Sequence, residues 1–147
     1  MTHNTRRTVL KAGAAGALAL GFPAIVRSQS DKIKIGHLTP LTGFLGALGG
    51  YSVLGIKMAE EEINKAGGAA IGGKKMKVEG VFRDDETNPQ VAVGRFKEMV
   101  KDQGATAVVG GTFGNVSMAL NEEAKKSGTF FMATNGVPEG FFKKDVK

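Results

Sequence analysis

The chain has 147 residues, 23% of them charged, with 20 Lys and Arg against 14 Asp and Glu and no cysteine. That length accommodates one small domain with a core of its own, and the absence of cysteine excludes disulfides and a lipid-modified cysteine tether. Four bases, Arg6, Arg7, Lys11 and Arg27, lie in the first 28 residues with no acid beside them, so the formal charge of +6 falls to +2 (16 bases, 14 acids) without that segment. No basic stripe interleaved with aromatics remains, which argues against nucleic acid as a partner.

The first segment reads as an export address. Arg6-Arg7 is followed by Thr8-Val9-Leu10-Lys11, then by a weakly apolar run from Ala12 to Phe22 and a helix breaker at Pro23. A charged head, a short apolar body and a breaker describe a twin-arginine signal, with the twin-arginine translocase as the partner during export. The apolar run is too short and too rich in Gly and Ala to span a bilayer, which needs about 20 strongly apolar residues. Cleavage is expected near Ser28, although the usual Ala-x-Ala is absent. The expected domains are therefore a signal over 1–28 and a mature stretch over 29–147, located in the periplasm.

In the mature stretch, strands and helices alternate. Ile33-Lys34-Ile35-Gly36 predicts a first strand, followed by a Gly-rich loop through Thr39-Pro40-Leu41-Thr42-Gly43. Val53, Ile56, Ala59, Ile63 and Ala66 recur at steps of three and four and predict one buried helix face, with Glu60, Glu61 and Lys65 turned away. Gly67-Gly68 stops that helix. A turn at Gly72-Gly73 leads to a second strand from Met76 to Arg83. Asn88-Pro89 is a helix start, since Asn caps and Pro suits the first helical position. Ala92, Phe96 and Met99 supply its buried stripe.

Ala105 to Gly110 is a continuous small apolar run, expected for a strand covered on both faces. Asn115 is expected to cap a third helix with Val116, Ala119, Leu120 and Ala124 inward and Gly128 at its end, and Phe130 to Ala133 is a fourth strand. The order βαβαβαβ predicts an α/β fold, a doubly wound parallel sheet with helices on both faces. In a 2-1-3-4 strand order the winding reverses between strands 1 and 3, and ligands bind outside the C-terminal ends of the strands there. Three loops meet at that point: Leu38 to Gly43, Gly110 to Asn115, and Thr134 to Gly136.

Those loops offer amides, hydroxyls and side-chain carboxamides, with little that titrates. Gly110-Gly111-Thr112-Phe113-Gly114-Asn115 leads into a helix N-terminus, suited to a carboxylate or to a ligand-free tight turn. His37 follows the first strand without a partnered Asp or Cys, a pattern more often structural. Asp84-Asp85-Glu86 is the densest acidic cluster, and adjacent loop carboxylates are more often solvated or capping than metal-bound. No G-x-S-x-G elbow, paired His ligands or Walker lysine is present, and a full G-x-G-x-x-G is absent. No metal or cofactor is called for.

Taken in order, Ile33 to Gly36, Thr39 to Gly43, Gly55 to Ala59, Glu62-Ile63-Asn64, Gly67-Gly68, Gly72-Gly73-Lys74, Asp84-Asp85, Asn88-Pro89, Val108 to Gly111 and Pro138-Glu139 carry a family resemblance. The chain resembles the periplasmic solute-binding proteins of ABC importers, in the branched-chain amino acid (Leu/Ile/Val-binding) class. The resemblance implies a type I binding-protein fold: two α/β lobes joined by a hinge, the ligand trapped between them, and delivery to an ABC permease in the inner membrane. It implies no enzymatic activity and nothing beyond a monomer.

By the same resemblance, residues 29–147 correspond to most of the N-terminal lobe, a second lobe is missing, and the whole protein has on the order of 300 residues or more. Ligand contacts then fall on Thr112, Phe113, Gly114 and Asn115, and on Thr134 and Asn135. The side-chain pocket falls on the loop from Thr42 to Leu48. Phe113-Gly114-Asn115 replaces the run of serines found in amino acid binders, and Leu48 replaces a frequent aromatic. Both departures leave an aromatic acid, an amide or a urea-like solute open beside an amino acid. An exported cofactor-binding α/β enzyme and the sensory domain of a receptor stand as alternatives.

Overall fold

The computed structural model describes residues 32–138. The twin-arginine signal and its cleavage position lie outside the described residues, as does Glu139. The elements are β1 (Lys32–Thr39), α1 (Gly46–Lys65), β2 (Ala69–Ile71), β3 (Lys74–Asp84), α2 (Pro89–Lys101), β4 (Ala107–Gly110), α3 (Gly114–Ser127) and β5 (Phe130–Ala133). They form one five-stranded sheet in the order β2-β3-β1-β4-β5. The four long-range strands are parallel, and β2 pairs antiparallel with the start of β3. The predicted 2-1-3-4 order is thus the order of β3, β1, β4 and β5, with one short hairpin strand added at the edge.

The core lies on the face covered by α2 and α3. Leu38 and Val108 point there from the sheet and meet Phe96 and Met99 of α2 and Val116 and Leu120 of α3, all fully buried. Gly36 makes room for this contact, since a Cβ there would stand 2.8 Å from Cε of Met99. Asn88 caps α2 through its Oδ1, which accepts from the amides of Gln90 and Val91, and Pro89 follows in the first turn. Gly128 closes α3 in the left-handed conformation.

The other face is more open, and three expectations change there. β4 is buried only at alternate residues, Val108 and Gly110, so it is not covered on both faces; Ala107 and Val109 face the side where, among the described residues, α1 is the only covering helix. On β5 the same parity leaves Phe130 and Met132 exposed. On α1, Ala59, Ile63 and Ala66 are exposed, whereas Ser52, Val53, Ile56, Glu60 and Asn64 are half-buried. Glu60 therefore does not turn away: its carboxylate accepts from the amide of Gly80. Asn64 donates to the carbonyl of Val78 and accepts from the Val78 amide. Both side chains serve the edge of β3 beyond the end of β2, where backbone groups otherwise lack a strand partner.

Candidate ligand-binding site

The site lies where the strand winding reverses. β1 has β3 on one side and β4 on the other, so the helices after β1 and β4 diverge and open a crevice at the C-terminal strand ends. The loop after β4 is held tightly. The Gly111 amide donates to the Leu38 carbonyl at 3.2 Å, and the Thr134 amide donates to the Gly110 carbonyl at 3.1 Å. Gly111 has φ of 75°, and a Cβ there would approach Oγ of Ser117 to 2.6 Å. Gly114 abuts the loop after β5, since its Cβ would stand 2.7 Å from the Gly136 carbonyl oxygen.

Ser117 ties these loops together. It is fully buried in the first turns of α3 and donates to the Gly111 carbonyl at 2.6 Å, with the Asn135 carbonyl at 3.5 Å. The sequence pattern shows it only as a polar residue between Val116 and Met118, one position off the apolar stripe. Asn115 is not the cap of α3. The helix starts at Gly114 after an extended Phe113, which offers no side-chain cap, and Asn115 sits in the first turn with its Oδ1 accepting from the Val116 amide.

A cavity of about 300 Å³ opens between α1 and the ends of β1 and β4. His37 and Val109 line its floor, Ser52, Gly55 and Ile56 its α1 wall, and Thr112, Thr134 and Asn135 stand among its lining residues from the loops. The volume is at the lower end of the range for small-molecule sites. A larger groove of about 710 Å³ runs along the β3 edge, lined by Lys57, Glu60, Asn64 and Phe82. It lies away from the winding reversal and is the wider and more open of the two.

The remaining residues of interest are distributed around the cavity. Phe113 is 46% exposed and meets Phe44 edge-on, with ring centroids 6.4 Å apart. Phe44 belongs to the loop from Thr42 to Leu48 and supplies its aromatic ring. Leu48 is exposed on the first turn of α1. Thr42 is drawn the other way: its hydroxyl donates to Oδ2 of Asp84 at 2.6 Å. Thr42, Leu48, Phe113, Gly114 and Asn115 are thus not among the residues that line the cavity.

The acidic cluster is absorbed by the chain itself. Oδ1 of Asp84 accepts from the amides of Leu41 and Glu86, and Oδ1 of Asp85 accepts from that of Thr87. Burial pushes the Asp85 carboxyl up. Among the described residues no group of three or more His, Cys, Asp or Glu stands close enough to hold a metal ion, and no helix is long and apolar enough to cross a membrane.

The model of the periplasmic binding protein family matches residues 32–145. The chain belongs to that family. Among curated proteins, a Leu/Ile/Val-binding protein homolog of Brucella suis is 33% identical over 105 residues, covering 71% of this chain and 25% of that protein. The leucine-, isoleucine-, valine-, threonine- and alanine-binding protein of Pseudomonas aeruginosa is 38% identical over 94 residues, covering 64% and 24%. The branched-chain amino acid transporter substrate-binding protein LivJ of Streptococcus pneumoniae, solved with isoleucine, superposes with a TM-score of 0.67 at 30% identity, covering 76% of this chain and 31% of that one. The fold is that of the type I binding proteins. The chain spans about a quarter of the length of the curated relatives it matches.

Proposed function

We propose that residues 29–147 form most of the ligand-gripping N-terminal lobe of an extracytoplasmic solute-binding protein of an ABC importer. It captures an amino acid or a related small carboxylate or amide and delivers it to a membrane permease. The observation that carries the reading is the cavity at the winding reversal, with Thr112, Thr134 and Asn135 among its lining residues. Hydroxyls and amides grip a carboxylate without chemistry, which suits capture and release. Thr112, Thr134 and Asn135 hold the polar head of the solute, and Phe113, Gly114, Asn115, Thr42 and Leu48 shape the approach to it.

Closure of a second lobe over the ligand is a population shift, because only the closed form touches the solute from both sides. The Arg6-Arg7 signal directs export through the twin-arginine translocase, so the working location is the periplasm. No catalytic group is required.

The test is native mass spectrometry of the protein purified from periplasmic extract without added ligand. A bound solute of amino-acid or small aromatic-acid mass is expected, released on denaturation. A nucleotide or metal mass in its place would overturn the reading in favour of an enzyme.

A further inference from the structure

The cavity floor carries a polar group that nothing among the described residues satisfies. His37 lies on β1 between Phe82 of β3 and Val109 of β4 in register, on the face opposite the core. It is 9% exposed, lines the cavity, and its ring stacks on that of Phe82 with centroids 5.1 Å apart and planes 21° apart. Its Nδ1 is buried with no hydrogen-bond partner. The Thr39 hydroxyl, two residues on and on the same face, is likewise buried and unpartnered. Orphaned buried polar groups are few in native folds, and each calls for a partner from outside the chain or an ordered water. The Phe82 stack fixes the ring plane, so the nitrogens are presented in a set direction.

We infer that His37 reads the far end of the solute, hydrogen-bonding an uncharged hydroxyl or amide group that the ligand carries beyond its carboxylate. This rests on the cavity being the solute site. Burial holds the imidazole below its ordinary value, so at neutral pH it is uncharged and offers one donor and one acceptor. A hydroxyl or a primary amide is itself both donor and acceptor, and it completes such a ring whichever nitrogen carries the proton. An aliphatic tail leaves the nitrogen orphaned, and a second carboxylate meets no cation there. The apolar lining from Ile56 and Val109 supports the carbon frame between the two polar ends.

Through-bond NMR correlation of the ring nitrogens to their own backbone assigns His37 whatever other histidines the protein carries. The purified protein is titrated with two pairs matched in shape, L-threonine against L-valine and 4-hydroxybenzoate against benzoate, and the co-purified solute is identified by mass. In the pair that binds, the hydroxylated member is expected to bind about tenfold more tightly and to shift the His37 ring nitrogens. His37→Phe, which keeps a ring on Phe82, is expected to erase that preference.

A preference that survives in H37F, tighter binding of the unhydroxylated member to the unsubstituted protein, or a co-purified solute without a hydroxyl or amide beyond its carboxylate overturns this inference alone. A protein that holds neither a co-purified solute nor any of the four probes removes the site reading and this inference with it. The ring spectrum of the unsubstituted protein supplies a readout that does not depend on H37F folding: unmoved His37 nitrogens in a ligand-saturated sample also overturn it.

Discussion

The hydroxyl of Thr42 and the carboxylate of Asp84 meet at 2.6 Å, joining the loop after β1 to the end of β3. Oδ1 of the same carboxylate accepts from the amides of Leu41 and Glu86, each at 2.8 Å. One side chain thus positions two loops beside the cavity, and Thr42 acts on the site through the placement of its loop. Asp84→Ala is expected to destabilise the fold by about 1–2 kcal/mol, since the bonds are charge-assisted but close to solvent. Thr42→Val should cost about 0.5–1 kcal/mol, and the double variant less than the sum, because both changes remove one shared contact. Thermal denaturation of the four proteins measures the coupling; strict additivity would show that the contact contributes nothing.

Two groups in this region give stability a pH dependence of the same sign. Burial raises the Asp84 carboxyl, but the hydrogen bonds from the Thr42 hydroxyl and from the Leu41, Glu86 and Thr42 amides outweigh it and hold the group below its ordinary 3.8. Its contribution is present above that value and is lost as pH falls through the lower folded one. Burial also lowers His37, so below its ordinary 6.5 the unfolded chain takes up a proton that the fold resists. Stability is complete above 6.5 and declines as the medium becomes more acidic. Asp85, raised by burial, works against this trend as acid relieves its buried charge. His37→Phe is therefore expected to flatten the stability profile between pH 6.5 and the lowered folded value, and Asp84→Asn to flatten it below 3.8. Unchanged profiles in denaturant titrations at stepped pH would refute both assignments.

Asn64 substitutes for a neighbouring strand. Its carboxamide both donates to and accepts from Val78, at 2.8 and 2.9 Å, on the β3 edge that β2 leaves uncovered. Replacement by Ala strips two edge hydrogen bonds at a part-buried position, an expected loss of about 1–3 kcal/mol. It also bares an edge that can template another chain. N64A should show a lower midpoint in urea and faster aggregation on heating, whereas Glu61→Ala one turn away, on an exposed surface, should show neither.

Most of the sheet was legible because its strands and helices obey their own periods. Ala92, Phe96 and Met99 recur on α2, and Asn88-Pro89 marks its start, with caps and stripe agreeing. The misses have local causes. β2 is three residues long and owes its existence to pairing with Lys74 to Met76, which no single-strand pattern contains. α1 begins at Gly46, ahead of the periodic apolar positions, because Gly49 lets the helix approach the Pro40 carbonyl, where a Cβ would stand 1.6 Å away; tertiary contact overrides the poor propensity of glycine. An apolar stripe also hides a polar one: Glu60 and Asn64 reach the sheet because an edge strand needs hydrogen bonds rather than hydrocarbon. In the site, the loops were found by topology. His37 and Ser117 were not assigned roles, because each depends on what faces it from another element.

Two glycines separate stability from site geometry. Gly94 lies in α2 with nothing within 4 Å of the place a Cβ would occupy. Gly94→Ala should therefore stabilise the fold by about 0.5–1 kcal/mol through helix propensity and a less flexible unfolded chain, with ligand affinity unchanged. Gly114 also begins a helix, but its Cβ would stand 2.7 Å from the Gly136 carbonyl oxygen and 3.3 Å from Cδ of Pro138. Backbone cannot swing aside as a side chain does, so Gly114→Ala must push apart the loops that carry Thr112 and Asn135. Its ligand affinity is expected to fall at least about tenfold, since misplacing gripping groups by a fraction of an ångström weakens each polar contact. Calorimetric titration of both variants with the co-purified solute, alongside thermal scans, decides the matter. Equal affinity in G114A and the unsubstituted protein would show that the contact between the loops after β4 and β5 does not govern the site.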